Sequence, residues 1–131
     1  MTETAYKRIF LIGALWNFAG GAFVILATQW IFDSAGLTVP SPSLYYYAWI
    51  ALFMTFGIGY YFVSRDLYRN RDIALLGAIG KLAFSAVFIW SYISYPGQAP
   101  RFFLIPVIGD LVFVALFVMF LKFVSRQKGQ S

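Results

Sequence analysis

An all-α, polytopic membrane protein is the fold class the sequence predicts: a bundle of four transmembrane helices. Three observations predict it. Of the 131 residues 61% are hydrophobic and only 11% charged, whereas a soluble domain is about half apolar and roughly a quarter charged. A soluble chain this short cannot bury so much apolar surface, since small domains keep much of their surface exposed. The apolar residues also fall into four runs, each close to the roughly 20 residues a helix needs to cross about 30 Å of hydrocarbon. Helix is the spanning form because an open sheet would leave unpaired backbone groups in lipid.

Span one is predicted over roughly residues 9–32. Lys7 and Arg8 precede it as in a signal peptide, but the run is too long for an h-region and no A-x-A site follows, so an uncleaved helix is expected. Asp33, Ser34 and Gly36, then Pro40 and Pro42, supply the break before span two at roughly 44–63. Arg65 to Asp72 forms a short charged loop before span three at roughly 73–95. Pro96, Gly97 and Pro100 separate that span from span four at roughly 102–124. The whole chain, 1–131, reads as one transmembrane domain.

Charge sets the expected orientation. Lys7, Arg8, Arg65, Arg69, Arg71, Lys122, Arg126 and Lys128 fall on one side, and only Arg101 on the other. By the positive-inside rule both termini are cytoplasmic and the setting is the cell membrane. Trp30, Tyr45, Tyr46, Tyr47, Trp49, Tyr92 and Tyr95 lie near the outer span ends, where an aromatic belt belongs. The net charge of +5 is accounted for by these flanks. No basic stripe or groove-entering helix points to nucleic acid.

Composition excludes several chemistries. With no Cys and no His, disulfides, thiol catalysis, Zn–thiolate sites, His-ligated haem and His-based triads are ruled out. Five scattered acidic residues do not make a metal cage. No catalytic residue, metal ligand or cofactor is expected.

An offset of 64 residues aligns the two halves of the chain, about 1–64 and 65–131, without a gap. Gly13-Ala14-Leu15 falls on Gly77-Ala78-Ile79, Pro42 on Pro106, and Ala51-Leu52-Phe53 on Ala115-Leu116-Phe117. Such a repeat describes a duplicated helical hairpin in parallel orientation, related by an axis along the membrane normal rather than inverted. Coincidence between apolar helices is the competing account.

Three polar side chains lie inside the spans: Asn17, Lys81 and Asp110. Asn17 and Lys81 sit about 12 Å deep from one side and Asp110 about 12 Å from the other, at 1.5 Å per residue. A vertical gap of about 6 Å is within reach of a lysine stem. Each charge costs about 2.5–3.5 kcal/mol at a span centre, so the two are expected to face the interior and meet. Helix stripes agree: Gly13, Ala14, Asn17, Gly20, Gly21 and Thr28 share one face, and Ala74, Gly77, Ala78, Lys81, Ser85 and Tyr92 another. Pro106, a turn before Asp110, is expected to leave a carbonyl without its donor.

The central trio is the candidate ligand-binding or ion-pair site. Trp16, Ser85, Tyr46 and Arg101 are secondary candidates, Arg101 with Asp33 at an outer mouth. The loop from Arg65 to Asp72 is expected to be solvated, with local ion pairs, and Tyr60 and Tyr61 to be ordinary packing residues.

The stretches Leu15-Trp16-Asn17-Phe18-Ala19-Gly20-Gly21, Leu76-Gly77-Ala78-Ile79-Gly80-Lys81-Leu82 and Gly109-Asp110-Leu111-Val112-Phe113 resemble those of small bacterial four-helix membrane proteins of DoxX-like style. The similarity spans the chain in topology and these stretches in residues. It implies a bacterial inner-membrane protein and carries over no substrate, cofactor or catalytic residue.

Three functions fit these features. One is binding or transport of a small polar, anionic or lipid-like ligand at the polar centre. The alternative is a structural or accessory subunit whose polar residues clamp the bundle, packing through small-residue faces as a homo-oligomer or within a larger membrane complex. An intramembrane enzyme would need Lys81 and Asp110 as an acid–base pair without a second nearby carboxylate. A small multidrug-transporter arrangement is disfavoured, because the first span carries Asn17 where that class resembles a carboxylate exchanger. Membrane lipids are the expected surroundings.

Overall fold

The computed structural model describes residues 1–129. Four helices are long and apolar enough to cross a membrane, and no strand occurs among the described residues. The chain is a multi-pass, all-α membrane bundle. Gln130 and Ser131, included in the predicted domain, lie outside the described residues.

Helix α1 spans Glu3–Leu26. It starts ahead of the apolar run because Thr2 caps it, its hydroxyl accepting from the Ala5 amide at 3.2 Å, and Glu3 sits in the first turn where the helix dipole favours an acid. Span one is not one unbroken helix. It bends at Ala27, whose ψ is 11°, and continues as α2 over Thr28–Asp33. The bend has a local cause: the buried Thr28 hydroxyl donates back to the carbonyls of Val24 at 2.7 Å and Ile25 at 3.1 Å.

Helix α3 covers Leu44–Arg65 and α4 covers Arg71–Ser94. The turn between them is fastened by Asn70, whose side-chain amide donates at 2.8 Å to the Phe62 carbonyl, which also accepts from the Asp66 backbone amide at 3.1 Å. Arg71 and Asp72, expected in the loop, instead open α4, where they pair at 3.5 Å. A 3-10 turn, Arg101–Phe103, leads into α5, Leu104–Lys128. Pro106 therefore falls in the first turn of α5 and causes no break beside Asp110. A first-turn amide has no helical acceptor, so its absence there leaves nothing unsatisfied.

Packing is strongest within pairs, α1 on α3 and α4 on α5. The pairs meet more lightly, mainly through α3 and α4. One end of the bundle closes on an aromatic core: Phe10 stacks on Phe117 with centroids 4.6 Å apart, and Tyr6 lies against Phe120 and Phe123. At this end the Tyr68 hydroxyl donates to the Glu3 carboxylate, joining the α3–α4 turn to the N-terminus. The other end gathers Ile31, Phe32, Tyr46, Ile50 and Phe103. Large apolar side chains such as Leu15, Leu52, Leu76, Ile79, Val87, Ile105 and Ile108 point outward and need a lipid solvent.

Candidate functional site

Between the two cores lies a polar centre. Asn17 of α1, Lys81 of α4 and Asp110 of α5 are each at most 4% exposed. The Lys81 ammonium donates to Asp110 Oδ1 at 2.5 Å and to Asn17 Oδ1 at 3.2 Å. Asn17 in turn donates from Nδ2 to the Phe53 carbonyl of α3 at 2.7 Å. One chain of hydrogen bonds thus touches all four spanning helices. Asn17 and Lys81, 64 positions apart, are the residues that the internal alignment superposes, and their side chains meet.

Glycines admit this arrangement. A Cβ on Gly77 would lie 2.5 Å from the Tyr60 ring, and one on Gly57 would lie 3.2 Å from Asn17 Cβ. Gly109, next to Asp110, faces the Trp16 ring, where a Cβ would approach to 2.4 Å. Three aromatic rings, among them the Tyr60 ring admitted by Gly77, lie near the ammonium: Phe113 at 5.3 Å, Tyr60 at 5.4 Å and Phe53 at 5.7 Å to their centroids. Their π faces stabilise a cation withdrawn from water.

The centre is not sealed. A cavity of about 380 Å³ lies between α3 and α4, with Asn17, Lys81 and Asp110 on its floor. Its walls are Trp49, Phe53, Phe56 and Tyr60 on one side and Gly80, Ala83, Phe84 and Phe88 on the other. Trp49 and Phe84 are nearly parallel, 5° apart, with centroids separated by 5.7 Å. A second, purely apolar cavity of about 220 Å³ lies in the opposite seam, lined by Trp16, Gly20, Val24, Phe102 and Ile105 among others. Lighter packing between the helix pairs accounts for both openings.

The secondary candidates separate. Trp16 belongs near the centre: its indole N–H faces the Asp110 carboxylate, beyond hydrogen-bond geometry, and is buried without a partner. Ser85 is buried one turn beyond Lys81, its hydroxyl unpaired, and does not line the cavity. Tyr46 is packed away from the site, edge-on to Phe32 at 5.6 Å. Arg101 is exposed and does not meet Asp33, whose carboxylate instead accepts from Gln29 at 2.7 Å. No outer mouth is formed by that pair.

Sequence reasoning missed Tyr60, read there as ordinary packing. It is 1% exposed, lines the cavity and faces the ammonium. Its signal was Gly77 on the facing stripe, since a glycine opposite a large ring marks close approach. Phe53 and Phe84 carried no signal in a chain holding 15 Phe, and Trp49, read only as part of the outer aromatic belt, also lines the cavity.

Fold and site together define a class: a four-span helical membrane protein with an ion pair at its centre and a lateral cavity above it. Compared with known proteins, the chain matches no family model, no curated protein and no solved structure.

Proposed function

We propose that the protein binds a lipid-soluble molecule carrying a small polar group, in the cavity between α3 and α4, with the polar group on Lys81, Asp110 and Asn17. The observation that carries this reading is the placement of the buried trio on the floor of an otherwise apolar cavity of about 380 Å³. That combination, apolar walls with few convergent polar groups and a volume in the range of about 300–1,000 Å³, is typical of small-molecule sites. A membrane ligand enters such a site sideways, between two helices, without crossing water. The DoxX-like resemblance and the basic flanks support a bacterial inner-membrane protein with both termini in the cytoplasm.

The experiment is purification in lipid nanodiscs followed by native mass spectrometry. Gly80→Leu fills the cavity from its wall, where a Cβ has only ordinary contact with Phe56 at 3.7 Å. The wild type is expected to retain a lipid-soluble molecule that the variant loses while keeping its helicity. Equal retention by both would remove the cavity as the site.

A structural or accessory subunit is the second reading. What favours it is that Lys81 bonds to both Asp110 and Asn17, so that side chains from three helices are held together at the centre of the bundle. It predicts a copurifying protein partner, unaffected by Gly80→Leu.

A further inference from the structure

We infer that the ligand's polar group is neutral and both donates and accepts a hydrogen bond, as the hydroxyl of a long-chain alcohol does; this rests on the binding reading above. Charge is the first constraint on the polar group. Lys81 and Asp110 meet at 2.5 Å, and no other charged residue among the described residues lines the cavity. The floor therefore presents a cation and an anion that cancel. An anionic head drawn to Lys81 also meets Asp110, and a cationic head drawn to Asp110 also meets Lys81. Neither has a surplus opposite charge to offset its removal from water.

Hydrogen-bond capacity then selects among neutral groups. An ammonium has three N–H donors. Two are used, on Asp110 Oδ1 and Asn17 Oδ1, and the third has no acceptor among the described residues. Asp110 accepts from Lys81 at Oδ1, and its Oδ2 has no hydrogen bond within ordinary geometry among the described residues, the Trp16 indole N–H that faces the carboxylate lying beyond it. Lys81 and Asp110 both line the cavity, so its lining holds one unused donor and one unused acceptor. A hydroxyl matches both, accepting from Lys81 Nζ and donating to Asp110 Oδ2. An ether or a plain hydrocarbon leaves one or both unpaired, which is penalised in an apolar site.

The test uses the full chain in phosphatidylcholine nanodiscs, with a photoreactive diazirine-bearing long-chain alcohol as the probe. Competitors of equal chain length are the alcohol, its methyl ether, an alkyl sulfonate and an alkane. Peptide mapping is expected to place the label on cavity residues such as Phe84. For the wild type, the alcohol should displace the label at least about tenfold better than each of the others. In Asp110→Asn the lysine charge is left uncancelled, and the sulfonate should overtake the alcohol. The ether comparison uses the wild type alone and does not depend on the folding of Asp110→Asn. Sulfonate or ether competing as well as alcohol in the wild type, with the label in the cavity, would overturn the neutral-hydroxyl assignment and leave the binding reading intact. Absence of any cavity label would overturn both.

Discussion

Asn17 shows how much a single side chain does in this bundle. Its amide joins the Lys81 ammonium on one side and the Phe53 carbonyl on the other, so it links the two helix pairs. Asn17→Ala removes both bonds and leaves the lysine with one acceptor. A loss of about 1–3 kcal/mol is expected in steric-trap unfolding. The residue's depth and stripe were legible in the sequence; its second partner was not, because a backbone carbonyl carries no residue-type signature. Tyr68 gives a second residue-scale prediction, at the solvated end. Its bond to Glu3 favours the neutral phenol, and the neighbouring carboxylate disfavours phenolate, so the phenol ionises above the usual tyrosine range. Glu3→Ala should lower that pKa, read by NMR titration of ring-labelled tyrosine.

At the scale of elements, glycine positions decide how close helices come. Gly77 lets the Tyr60 ring lie under Lys81, so Gly77→Leu should displace that ring from the ammonium. Overpacking there is expected to destabilise by about 1–3 kcal/mol, with a changed tyrosine fluorescence environment. The helices themselves were readable from apolar run length, because lipid imposes a length on each span. Their ends and bends were not. Thr2 and Glu3 start α1 ahead of the apolar run, and Thr28 bends it through back-bonding that hydropathy does not register. Pro106 illustrates the opposite error: a proline expected to disrupt lies in the first turn, where its missing donor has no consequence.

The whole molecule is two tightly packed helix pairs joined by a lighter seam, and the cavity is a property of that seam. No local pattern encodes it. Sequence placed Lys81 and Asp110 at compatible depths, yet the aromatic walls from α3 and α4 emerged only once the pairs were docked. Four spans also fix the topology. The chain has no native Cys, so single cysteines report it cleanly. Cysteines introduced at Arg69 and Gln127 should react with an impermeant thiol reagent only from one face, the cytoplasmic one in the orientation proposed above, and one at Gly97 only from the opposite face. Labelling of Arg69→Cys and Gly97→Cys from the same side would contradict four crossings.

The claim on which the account rests is that Lys81 and Asp110 stabilise each other inside the bundle. A double-mutant cycle in nanodiscs, read by steric-trap unfolding, measures this directly. Lys81→Met and Asp110→Leu should each cost about 3–5 kcal/mol by stranding the other charge, while the double variant should return close to the wild type. Single losses that simply add in the double variant would show that the two charges are solvated independently and would contradict the account.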